Sequence, residues 1–286
     1  VAMAAVERDK SSIDYGERAL EVSRQTGDRG VIAYVRVNQC IAAHIRGEVL
    51  ESAEAMRQDL VEHGRWMETG EYAKGCADIS WNLQLRGRPE RALRWVDRAI
   101  REIEEASAQS GLVYLPARKA ACLAALGDMA AAEKQLAVAR DIAAEAKDDT
   151  YRQASYLSHL LLLHLEKGDL EDARTAIERH RQLELEPRWV PFHMRNFYIF
   201  QGYVFVEQLG RLEETDGAES GAAGRREELV DQLRRAVEEL ETVNNDHPTV
   251  TAHLEVLKAT VADCEGDRAR VESSLCQAAR RARRSD

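Results

Sequence analysis

The sequence is short of most features that announce a chemistry. Only 5 prolines and 4 phenylalanines occur in 286 residues, and aromatic residues make up 6%. No apolar run approaches the roughly 18 residues that a membrane helix needs. The bulky apolar runs at 160–163 and 197–200 stop at His164 and Gln201. No basic-then-apolar leader opens the chain. It begins with Val1, as a piece of a longer protein or an alternative start codon would. The five cysteines (Cys40, Cys76, Cys122, Cys264, Cys276) are odd in number and never closer than 12 residues. That spacing excludes a tight disulfide framework and predicts core thiols in a reducing cytoplasm.

Basic charge is also scarce. Asp and Glu number 50 against 40 Lys and Arg, for a net charge of −10, which argues against broad nucleic-acid affinity. The local exception is Arg280, Arg281, Arg283 and Arg284, a set suited to complement the dipole of a terminal helix. Catalytic signatures are missing too. No Gly-x-Ser-x-Gly, dinucleotide fingerprint or kinase motif occurs, and Gly221-Ala222-Ala223-Gly224 is followed by no Lys-Ser or Lys-Thr. His159 and His164 are five apart and His247 and His253 six, unlike the i,i+4 pair of a helical zinc site. No enzyme activity, cofactor or metal is expected.

What the chain does have is a period. Gly47, Gly87, Gly127, Gly168, Gly210 and Gly266 are separated by 40, 40, 41, 42 and 56 residues. Five and twelve residues after the glycine stand Ala92 and Ala99 in one unit, and Ala132 and Ala139 in the next. Ala173 and His180, Val271 and Ala278, and the looser Ser52 hold corresponding places. A spacing of seven is two helical turns, so each pair lies on one stripe, where small side chains let a second helix approach. Seven residues before the glycine the chain is again mostly small, at Cys40, Ser80, Ala120 and Ala259, with Leu161 and Tyr203 as exceptions. Each glycine is expected to end one helix in the left-handed conformation. Asp128, Asp169 and Asp267 are expected to cap the next.

This helix–turn–helix pattern resembles the long, roughly 40-residue variant of the tetratricopeptide repeat, over nearly the whole chain. The resemblance implies an all-α, right-handed α-solenoid of about six repeats in a single array. Repeats are placed at about 31–64, 70–107, 112–146, 150–185, 190–242 and 249–283, after a partial repeat at 10–26. A Gly-, Ala- and Glu-rich insertion at 213–224 is expected to form a mobile surface loop.

In that family the first helices line a concave face. Counting back from each glycine places Tyr34, Val37, Ile41, Ala77, Trp81 and Tyr114 there. Ser158, Leu162, Phe197, Phe200, Val204, His253 and Val256 follow. The candidate partner-binding set is Tyr34, Val37, Ile41, Trp81, Tyr114, Leu162, Phe197, Phe200 and Val204. Lys and Asn, which the chaperone-tail clamps of this family need, are replaced at the corresponding positions by Val37, Ile41, Ala77 and Trp81. Residues 189–205 gather Trp189 and all four phenylalanines, as a local core or a recognition patch.

The resemblance implies a scaffold or regulatory module in the cytoplasm that binds a partner protein or peptide on its concave face. Its setting would be a larger bacterial signalling protein, with no membrane or nucleic-acid partner. The alternative is a sensor closing on a small molecule or signalling peptide, for which His44, Gln84, Glu166 and Glu207 offer polar groups.

Overall fold

A computed structural model describes residues 11–45, 48–105, 114–145, 149–187, 190, 194–215, 222–244 and 247–283. Among them the only regular structure is helical. The α-helices are α1 (Ser11–Thr26), α2 (Arg29–Ile45), α3 (Val49–His63), α4 (Thr69–Leu85), α5 (Pro89–Glu105), α6 (Tyr114–Ala125) and α7 (Met129–Glu145). They continue as α8 (Thr150–Lys167), α9 (Leu170–Arg181), α10 (Asn196–Thr215), α11 (Ala222–Val243), α12 (Pro248–Cys264) and α13 (Arg268–Ala282). A short 3₁₀ turn, Gly64–Trp66, joins α3 to α4. None of these helices is long and apolar enough to cross a membrane.

The chain divides into two compact units, Val1–Tyr156 and Leu157–Asp286, with the division falling inside α8. In the first unit α2 packs on α3, α4 on α5 and α6 on α7. The leading helices also touch one another, α2 against α4 and α4 against α6. In the second unit α10 packs on α11, α12 on α13, and α10 also on α12.

This arrangement explains why the two helices of a pair bury such different surfaces. The trailing helix α5 buries a narrow stripe, Ala92, Val96 and Ala99, and α7 buries Ala132, Leu136, Ala139 and Ala143. The remaining face of α5 is mostly charged, whereas that of α7 mixes charged residues with alanines and the exposed Val138. The leading helix α6 has neighbours on several sides and buries Leu115 to Arg118, Ala120 to Cys122 and Ala124. All four alanines of the best-matched repeats (Ala92, Ala99, Ala132, Ala139) are fully buried. Val37, Met56, Leu60, Tyr72, Ala73 and Cys76 form the apolar core of the first pairs, with Leu115 reaching in from α6.

The turns follow the expected chemistry at most sites. Gly87, Gly127, Gly168 and Gly266 have φ between 65° and 82°. Asp128 Oδ1 accepts from Ala131 N, and Asp267 Oδ1 from Arg270 N, each at 3.1 Å.

Three expectations change. Gly210 lies within α10 and ends nothing: Arg211 follows it in place of a capping Asp, and the helix runs on to Thr215. Asp169 precedes α9 but makes no side-chain cap, because its carboxylate pairs with Lys167 Nζ at 3.1 Å. Both ends of the anticipated loop are helical, in α10 and from Ala222 in α11; residues 216–221 lie outside the described residues. Gly47, Trp189, Phe192 and Arg284 also lie outside them.

Candidate functional site

The nine candidate groove residues divide by burial. Val37, Trp81, Phe197 and Val204 are at most 2% exposed, and so packed inside rather than open to a partner. Val37 belongs to the core cluster, with Ile41 and Tyr114 packed against it. Phe197 stacks on His180 at 3.6 Å between ring centres. Leu162 and Phe200 are partly buried, and Tyr34 is 48% exposed. Of the further groove positions, Ala77 and Ser158 are buried, while His253 and Val256 are half-buried. The physical reason is the crowding of leading helices: a residue counted onto one face of α4 meets α2 or α6 as readily as solvent.

Among the polar candidates Glu166 and Glu207 are exposed and Gln84 is half-buried. His44 is 1% exposed and belongs to a polar layer built from two adjacent leading helices. Its Nδ1 lies 3.2 Å from Asp78 Oδ2 and 2.9 Å from the Asn82 amide. Nδ1 serves one neighbour at a time: carrying the proton it donates to Asp78 Oδ2, and without it accepts from Asn82 Nδ2. The His44 ring stacks on Trp81 at 5.3 Å.

Beside this layer stands Arg118 of α6, which counting from the glycines passes over. It is 4% exposed, and its guanidinium carbon lies 5.4 Å from the centre of the Trp81 ring. Among the described residues it has no ion pair, and its Nε has no acceptor. Burial lowers its pKa to about 10, which still leaves it charged at neutral pH. Asp78 favours that charge from a distance but is committed to His44. A clue was present in the sequence: Asp78 and Arg118 are charged residues of opposite sign, each nine positions before a turn glycine.

In the second unit, a cavity of about 580 Å³ lies between the start of α9, the end of α10 and the start of α11. Asp169, Asp172, Arg174 and Arg211 are among its lining residues. His164 Nδ1 is 3.9 Å from Asp169 and 4.0 Å from Asp172, so these three could jointly hold a cation. Lys167 already neutralises Asp169, and Asp172 is largely exposed. Histidine spacing alone misses this group, because its partners are carboxylates across the turn.

No protein-family model matches the chain, and no curated protein matches it. Among solved structures it is similar to BtubC (BKLC) from P. vanneervenii. The identity is 17% and the TM-score 0.46, over 82% of this chain and 89% of that one.

Proposed function

We propose that the chain is a tetratricopeptide-like recognition module of a bacterial signalling protein, without catalytic activity of its own. On this reading its leading helices hold a protein or peptide partner that offers an acidic side chain. The carrying observation is Arg118. A buried guanidinium without a carboxylate pays a desolvation cost of several kcal/mol that an incoming anion offsets. Trp81 holds its plane by a cation–π contact, and His44, itself bonded to Asp78 and Asn82, stacks on the same indole. Exposed Tyr34 and half-buried Ile41 supply apolar contact on the same set of leading helices.

The test is fluorescence anisotropy on a library of labelled peptides, comparing each Glu- or Asp-containing binder with its Gln or Asn counterpart. Wild type should prefer the acidic member by about tenfold or more. Arg118→Gln, with helicity confirmed by circular dichroism, should lose that preference. Binding indifferent to both changes would show that Arg118 is structural and that recognition lies elsewhere.

A further inference from the structure

A second cavity, of about 590 Å³, lies in the first unit between the end of α3, the 3₁₀ turn, the start of α4 and the middle of α5. Glu62, Arg65, Thr69, Tyr72, Arg98 and Glu102 supply its polar lining. Two of these residues are cationic and two anionic, yet among the described residues no ion pair links either arginine to either glutamate. The arginines are instead held by rings. Arg98 sits over Tyr72 and Trp95, with its guanidinium carbon 5.5 and 5.6 Å from the ring centres, and Arg65 sits 4.1 Å from the centre of Trp66. A guanidinium positioned by a ring face keeps its donor fork free for a planar acceptor.

Tyr72 adds a second, independent signal. It is 5% exposed, and its hydroxyl faces the Cys76 thiol one turn along the same helix, a weak acceptor. A hydroxyl held only by a thiol can turn to a stronger acceptor when one enters the cavity. The ring is seated by Gly64, where an added Cβ would lie 2.6 Å from the Tyr72 Cε2.

The sign pattern selects the ligand. A plain anion would satisfy the arginines and be repelled by both glutamates, and a plain cation would do the reverse. A molecule carrying both signs satisfies all four at once, and the cavity falls in the range of small-molecule sites. We propose that it binds a small zwitterion, a free amino acid or dipeptide. Arg98 and Arg65 receive its carboxylate, and Glu102 and Glu62 its ammonium. This site is distinct from the Arg118 layer and stands whether or not that layer binds a peptide.

The experiment is isothermal titration of the whole chain with the proteinogenic amino acids and with dialanine, each up to about 10 mM. At least one should bind, and its N-acetylated and its C-amidated forms should each bind about tenfold or more weakly. Arg98→Lys and Glu102→Gln should each cost about tenfold, and Tyr72→Phe about threefold, with helicity unchanged. Arg118→Gln should leave this binding intact, which separates it from peptide recognition. The proposal is overturned if nothing in the panel binds, if blocking the termini has no effect, or if binding survives both charge substitutions.

Discussion

His180 stands twelve residues after a turn glycine, where the units of Gly87, Gly127 and Gly266 carry alanine, and its ring lies nearly parallel to Phe197 with an interplanar angle of 12°. Tyr198 meets it edge-on at 6.0 Å. Burial, with a smaller contribution from Arg181, lowers its pKa to about 4. The sign follows from linkage. The unfolded chain takes up a proton near 6.5 and the folded chain only near 4, so acid favours unfolding. Stability from this site is complete above about pH 6.5 and falls by about 3 kcal/mol as pH drops to about 4. Urea midpoints measured between those values should show the loss in wild type and a much shallower one in His180→Phe. Equal slopes in the two proteins would place the acid sensitivity at other groups.

The thiols illustrate the same physics without a switch. Burial raises Cys40 and Cys76 to about 12, so neither is a thiolate at neutral pH. The sequence expectation of core thiols describes these two and Cys122, whereas Cys276 is exposed. The buried stripe of α13 holds Ser274 and Ala278, and Cys276 lies off that stripe on the helix.

At the scale of elements, glycine has two roles that the period alone does not separate. Gly127 has φ of 82°, a conformation that a Cβ strains, so Gly127→Ala should destabilise the chain by about 1 kcal/mol. Gly210 lies inside α10 with nothing within 4 Å of an added Cβ, so Gly210→Ala should stabilise by about 0.5–1 kcal/mol. Thermal unfolding of the two variants should therefore move in opposite directions, and a shift of the same sign in both would contradict a helix that runs through Gly210 and a turn at Gly127. Packing is tested by Ala92→Leu and Ala132→Leu. Both alanines are 0% exposed, so each substitution should cost about 1–3 kcal/mol through overpacking, read from denaturant midpoints.

These elements show how far the sequence carried. The helix pairs, their turns and the small-residue stripe were legible because each depends on local periodicity: 3.6 residues per turn, one left-handed glycine, one close approach. The groove was not. Whether Val37 or Tyr34 meets solvent depends on how neighbouring leading helices close over it, and the two sit on the same helix, three residues apart. Arg118 escapes notice for a related reason. Lacking a partner is a property of three-dimensional surroundings, and no spacing encodes it.

For the whole molecule, charge decides how a partner arrives. The net charge is −10, so an acidic peptide approaches against a repulsive field before it reaches Arg118. Salt screens that long-range repulsion more than it screens a buried contact, because the Debye length is about 8 Å at physiological ionic strength. The association rate of an acidic binder should therefore rise about two- to fivefold between roughly 50 and 300 mM salt, while its dissociation rate changes less. Stopped-flow measurements with one labelled peptide separate the two rates. An association rate that falls with salt would mean that a local basic surface steers the partner in, as the arginines of α13 could. Replacing Arg280 and Arg281 by Gln would then reverse the trend, and would move the point of first encounter from the leading helices to the end of the chain.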